Sequence, residues 1–292
     1  MTLEQLRIFV AVAEREHMTA AARALNIAQS AVSHAIATLE ARHDVTLFNR
    51  VGRQIELTEA GRALLGEARA ILAQVRQTGE LLGDFSTFAR GTLTIHASQT
   101  IGSYWLPRRL VAFHEAYPRI TLSLSIGNSV QVAEAVADGR ADIGFVEAMV
   151  AHKGLALEPV ARDQLIIVVG GTHEWVTRPP QNISDLCGSL WVLREAGSGT
   201  RTGLEQGLAA QGLPAGRLPV ALELPSNEAV RGAVEAGLGA TALSVSVAAS
   251  SLEAGLLHHV CWPLPTREFY RLTHPDRSTN RRLRAFLDGP FW

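Results

Sequence analysis

The chain has 292 residues, 47% of them hydrophobic and 19% charged, and a net charge of −1. That composition excludes a disordered chain and describes a globular one long enough for two or three folding units. It also excludes nucleic-acid binding by bulk charge: in residues 1–58, Arg7, Arg15, Arg23, Arg42, Arg50 and Arg53 are balanced by Glu4, Glu14, Glu16, Glu40, Asp44 and Glu56. Attraction to DNA must come from where the arginines stand.

No apolar run reaches membrane-spanning length and no signal-peptide pattern opens the chain, so a cytoplasmic protein is expected, with no membrane partner. Cys187 and Cys261 lack metal-ligand spacing and are expected to be buried small residues. The histidines form no paired ligand pattern, His258 and His259 reading as a strand that alternates faces, so no metal is expected.

Thr2 to Glu16 reads as an amphipathic helix with Leu3, Leu6, Phe9, Val10 and Ala13 as its core stripe. An alanine-rich helix, about Thr19 to Leu25, and a turn at Asn26 and Ile27 follow. A second helix runs from Gln29 to about Ala41 and buries Val32, Ala35, Ile36 and Leu39. Its helical period turns Ser30, Ser33, His34, Ala37 and Thr38 outward, with Gln29 at the amino end. Those side chains are short and polar, which suits entry into a major groove, where they can meet base edges or phosphates. A hairpin is expected with strands Val45 to Phe48 and Ile55 to Thr58, placing Arg50 and Arg53 at its tip against the sugar-phosphate backbone or minor groove.

A helix pair with an alanine-rich face also occurs in enzymes. The run LFNRVGRQIELTEAGRALL directly after QSAVSHAIATLE narrows the choice. From Leu3 to Leu64 the chain resembles the amino-terminal domain of the LysR-type transcriptional regulators. Two departures stand in the second helix: Ala28 replaces a frequent Ser or Thr cap, leaving Asn26 as the alternative cap, and His34 replaces a frequent Arg or Gln.

Thr58 and Glu59 open a long helix reaching about Asp84, with Leu65, Ala68, Leu72, Val75 and Leu82 on one stripe and Gly79 weakening its far end. The stripe either packs on the rest of its own chain or pairs with a second copy. Its coiled-coil spacing favours the second copy, and the resemblance implies a dimer through this helix, with a tetramer expected. The organisation read here is 1–58 winged helix-turn-helix, 59–90 linker helix and hinge, and 91–292 effector-binding domain.

From Thr92 onward strands alternate with helices, the rhythm of a parallel sheet flanked by helices. LTIHAS, ITLSLSIG and ADIGFVE belong to a first lobe (91–161 and 266–292). LWVLR, VALEL and GATALS belong to a second (162–265), with a long strand near Leu157 to Gly170 leading in and Leu256 to Trp262 crossing back. Two α/β lobes joined by two crossing strands make a cleft. This resembles the effector domain of the same family, related in fold to periplasmic solute-binding proteins.

Small ligands bind such sheets where strands lead into helix amino termini. Four junctions qualify: Ser98 to Thr100, Gly127 to Ser129, Arg194 to Arg201, and Pro225 to Asn227. Helix termini, hydroxyls and arginines converging on one cleft suit an anion, although each Ser or Asn could merely cap its own helix. The candidate contacts are Ser98, Thr100, Asn128, Ser129, Ser198, Thr200 and Ser226, with Glu147, Arg194 and Arg201 as charged neighbours that could pair across the cleft.

REAGSGTR, ASQTIGSYWLP and GFVE look most like the family branch governing sulfur assimilation and carbon dioxide fixation. The resemblance implies an operator-binding regulator with a small, anionic effector, no cofactor, and RNA polymerase as a further candidate partner. The alternatives are a constitutive repressor with an empty cleft and, disfavoured by the amino-terminal match, a solute-binding protein or enzyme built on the two-lobed domain. Gly237, Gly239 and Ala242 fit GxGxxA but lead into a strand, the reverse of a dinucleotide fold. GSGT lacks the GK[ST] ending of a phosphate loop, and catalysis is not expected.

Overall fold

A computed structural model describes residues 1–51, 54–84, 91–149, 154–275, 277 and 280–292. They divide into two units, one holding the elements up to residue 84 with Ala137–Arg140, the other holding the remainder. No helix among the described residues is long and apolar enough to cross a membrane.

In the first unit α1 (Leu3–Ala13) starts at a capping box in which Thr2 and Gln5 exchange side-chain and backbone hydrogen bonds. α2 (Met18–Leu25) ends at Asn26, whose φ of 54° is the left-handed turn that lets α3 (Gln29–His43) cross it. Ala28 supplies no side-chain cap, and Asn26 serves α2 rather than α3. Leu6, Phe9, Val12, Ala21, Val32, Ile36 and Leu39 form one core.

The hairpin is shifted from its expected position. β1 (Phe48–Val51) pairs antiparallel with β2 (Gln54–Leu57), so Asn49 to Val51 lie in a strand rather than in the turn. Glu40 explains where it starts, because its carboxylate accepts from the N–H groups of Leu47 and Phe48 at 2.7 and 3.2 Å. α4 (Glu59–Asp84) follows, capped by the Thr58 hydroxyl, which accepts from Gly61 N and donates to the Thr46 carbonyl. A Cβ on Gly61 would stand 2.3 Å from the Leu47 carbonyl oxygen, so only glycine lets α4 approach the wing this closely.

The second unit is a nine-stranded mixed sheet. β3 (Gly91–Ser98), β4 (Ile120–Gly127) and β5 (Ile143–Val146) are parallel, with α5 (Leu106–Ala116) and α6 (Ser129–Ala137) as crossovers and a π-helical turn, Ile101–Trp105, before α5. β6 (Ala156–Gly170) is long enough to serve two lobes. Residues 156–164 pair with β11 (Thr266–Thr273), and residues 165–170 pair with β9 (Ala240–Ser244) and β10 (Leu257–Val260).

α7 (Ile183–Gly188), β7 (Trp191–Arg194), α8 (Gly199–Ala209), β8 (Val220–Leu224), α9 (Asn227–Glu235) and α10 (Val245–Glu253) complete the second lobe, and α11 (Arg281–Asp288) returns to the first. The return crossing is therefore not Leu256 to Trp262. β10 stays in the second lobe, and the chain crosses just after it, at 261–265. One further expectation fails here, since Cys187 is half-buried and Cys261 exposed; His258 and His259 do lie on an alternating strand, whose Leu257 and Val260 pack into separate cores on its two faces.

Candidate functional site

Two surfaces carry the candidate residues, one in each unit. On α3, Gln29, Ser30, His34, Ala37 and Thr38 are exposed, as the helical period requires once Val32, Ile36 and Leu39 are buried. Ser33 is half-buried and accepts from Gln29 Nε2 at 2.8 Å, so the two side chains form one hydrogen-bonding unit at the helix start. Arg50 lies on β1; its side chain and the whole of Arg53 lie outside the described residues.

The α4 stripe divides in two. Ala68 is fully buried against the core of its own unit, and Leu65 and Leu72 are half-buried there. Ala68 is thus no contact for a second copy, because α1 already covers it. Val75 remains 45% exposed, as does Ile71 at 37%, which the heptad reading passed over; the Leu82 side chain lies outside the described residues.

In the second unit the hub of the cleft is Glu147, at the end of β5 and 4% exposed. Its Oε1 accepts from Ser98 Oγ and Thr100 N, both at 3.0 Å. Its Oε2 accepts from Thr200 Oγ at 3.0 Å and Arg267 Nη1 at 2.9 Å. Burial pushes this carboxyl upward, but Arg267 and the hydrogen bonds outweigh it and hold it below its ordinary value. It is an ionised carboxylate filling the cradle that Ser98, Thr100 and Thr200 were expected to offer a ligand.

The remaining candidates separate according to what already holds them. Asn128 Oδ1 accepts from Gln131 N and Ser226 Oγ from Ala229 N, so both cap their own helices. Arg194 grips Glu195 through two bonds and gives a third to Asn227 Oδ1, rather than meeting Glu147. Arg201 is engaged by Glu205, Glu223 and the Arg194 carbonyl, which accounts for its charge away from Glu147. The arginine that does pair with Glu147 is Arg267 on β11, also bound to Asp163 at 2.6 Å. No motif marks Arg267, because its partner lies 120 positions away.

Two candidates are left unspent. Ser129, the first residue of α6, is 3% exposed and its Oγ has no hydrogen-bond partner. Ser198 precedes α8 without capping it. The two helix starts meet: a Cβ on Gly199 would stand 2.9 Å from Ser129 Oγ and 3.3 Å from Glu147 Oε2. First-turn N–H groups have no intrahelical partner and carry the positive end of the helix dipole; at α6 Asn128 Oδ1 takes one of them, whereas the start of α8 has no side-chain cap.

Other cross-lobe contacts surround that point. Gln99 accepts from Asn227 N and donates to Glu228, Tyr104 donates to Glu228 Oε1, and Asn227 Nδ2 donates to Thr100 Oγ. These lock the loop after β3 to the start of α9.

Comparison with known proteins assigns both units. Residues 3–62 match the bacterial regulatory helix-turn-helix protein, lysR family, and residues 87–289 match the LysR substrate binding domain. The chain belongs to the LysR family. It is a DNA-binding transcriptional regulator with a winged helix-turn-helix and a two-lobed effector domain. It is 37% identical over 290 residues to the HTH-type transcriptional regulator YeiE of Escherichia coli (strain K12), covering 99% of this chain and 96% of that protein. It is 34% identical to the probable RuBisCO transcriptional regulator of Cyanophora paradoxa, covering 98% of this chain and 90% of the relative. The Synechocystis PCC6803 CcmR regulatory domain in complex with 2-PG superposes with a TM-score of 0.61 at 25% identity, covering 68% of this chain and 95% of that domain.

Proposed function

We propose that this regulator reads operator DNA with α3 and is controlled by a small anion held between the starts of α6 and α8. The observation that carries the effector reading is Ser129: a buried hydroxyl without a partner, set against two helix starts of which α8 lacks a side-chain cap. Ser98, Thr100 and Thr200 act on the ligand through Glu147, which they hold in place. The named relatives support the metabolic setting, since the CcmR domain is bound to 2-PG and other relatives are RuBisCO regulators. A phosphorylated metabolite or small oxyanion of carbon or sulfur assimilation is the effector class.

Gln29, Ser30, Ser33, His34 and Thr38 meet the major groove; Arg50 and Arg53, proposed from the sequence as contacts to the backbone or minor groove, have side chains outside the described residues. Ile71 and Val75 continue the α4 stripe beyond its own core and pair with a second copy, giving the two-fold symmetry that an interrupted palindrome needs. Two dimers form a tetramer whose bend in the DNA responds to the effector. The protein works in the cytoplasm, has no cofactor and performs no catalysis.

A thermal-shift screen of the full chain against sulfite, sulfate, phosphate, phosphoglycerate and ribulose bisphosphate tests the effector reading, because a ligand of the native state raises Tm by mass action. A selective shift that Ser129→Ala removes is expected. No shift with any of them transfers the weight to constitutive DNA binding.

A further inference from the structure

Glu40 stands on α3 two turns beyond Ser33, on the same side of the helix. An acid there opposes the approach of phosphates. Yet Glu40 is half-buried and spends its Oε1 within the chain, accepting from Leu47 N at 2.7 Å and Phe48 N at 3.2 Å. Its backbone carbonyl takes a third bond, from Val45 N at 3.1 Å. Leu47 and Phe48 are buried, so their N–H groups need a partner from the protein. Thr58, which caps α4, holds the same stretch from the other side: its hydroxyl donates to the Thr46 carbonyl and its N–H to the Leu47 carbonyl. Residues 46–48 thus tie α3 to α4, and β1 starts from that tie.

We propose that Glu40 is the positioning residue of the wing. By fixing where β1 starts relative to α3, it sets where Arg50 meets the DNA while α3 lies in the major groove. The proposal rests on the reading of Arg50 as a DNA contact given above. Strand side chains alternate faces, so a β1 that slipped by one residue would turn every side chain it carries, Arg50 included, to the opposite face. The acid that costs attraction on α3 therefore returns it through the wing. Glu40 itself need not touch DNA, because its share of binding passes through Arg50.

Two variants separate this role from plain charge. Both side-chain bonds end on one oxygen, so Glu40→Gln keeps the acceptor and loses the charge. Glu40→Asp keeps the charge, but its oxygens stop about 1.5 Å short of the two N–H groups. Each is made in the full chain, alone and with Arg50→Ala, and affinity for a duplex of random sequence is measured by fluorescence anisotropy over a salt series. In the wild type, Arg50→Ala is expected to make the dependence of log affinity on log salt shallower by about one unit per wing. The same loss is expected in Glu40→Gln and none in Glu40→Asp, where Arg50 is already misplaced. An Arg50→Ala loss as large in Glu40→Asp as in the wild type overturns the proposal. If Glu40→Asp does not fold, the other variant decides: folded Glu40→Gln in which Arg50→Ala has no effect also overturns it. Arg50→Ala without effect in the wild type overturns the reading of Arg50 as a DNA contact, and the proposal with it.

Discussion

The outward face of α3 and the cleft of the effector domain both carry polar residues at suggestive spacing, and they differ in what the fold has done with them. On α3 Gln29, Ser30, His34 and Thr38 are exposed to solvent, and Gln29 bonds to half-buried Ser33. In the cleft, Ser98, Thr200, Arg194 and Arg201 are already spent on carboxylates of the same chain, as is the Thr100 backbone N–H, while the Thr100 hydroxyl accepts from Asn227. A surface that reads a large partner can wait unpaired in water. A buried site cannot, because each unpaired polar group inside costs about 1–3 kcal/mol. In a buried cleft the informative residue is therefore the exception, and that exception is Ser129.

The largest effect that would break this contrast is expected at Arg267. Arg267→Met strands Glu147 and Asp163 without their shared cation, and urea denaturation should show a loss of about 3–5 kcal/mol. A loss no greater than that of a surface pair would mean the cleft is not held by this trio. Acid should act in the same direction. The folded-state carboxyl of Glu147 is held below its ordinary value, so its contribution is complete above the unfolded value and fades as pH falls through the folded one. Glu147→Gln should flatten that part of the stability profile.

On the α3 side, Ser33→Ala or His34→Ala should cost about 1–3 kcal/mol of discrimination between operator and random DNA where a base edge is read. Arg53→Ala should weaken both alike and make the salt dependence shallower by about one unit. Equal specificity losses in all three variants would contradict that division. Ser226→Ala, which removes only a helix cap, should cost about 1 kcal/mol of stability and leave anion binding intact. Smallest of all, Glu223→Ala should change stability by about 0–1 kcal/mol, since its side chain is half in solvent and Arg201 keeps Glu205 as a partner.

How much could be read from the sequence follows the same divide. The helices of the first unit and the succession of strands and helices in the second follow from local periodicity, and their bounds agree to within a few residues. The wing start did not, because Glu40 fixes it through hydrogen bonds across seven and eight positions. Heptad spacing puts Ala68 on a partner-facing stripe, because spacing alone cannot tell which neighbour, α1 or another chain, fills it. In the cleft the strand-to-helix junctions are legible in the sequence, yet the partners of Glu147 lie 47 to 120 positions away, and no spacing rule links Arg267 to GFVE. Periodicity records which face is buried, whereas a buried polar network records which distant residues met.

The most direct test of the account is a thermal melt of three full-length proteins, the wild type, Ser129→Ala and Ser226→Ala, with and without the anion that stabilises the wild type most. The account predicts a ligand-dependent rise in Tm for wild type and Ser226→Ala and none for Ser129→Ala. A rise in Ser129→Ala equal to that of the wild type would place the anion elsewhere and contradict it.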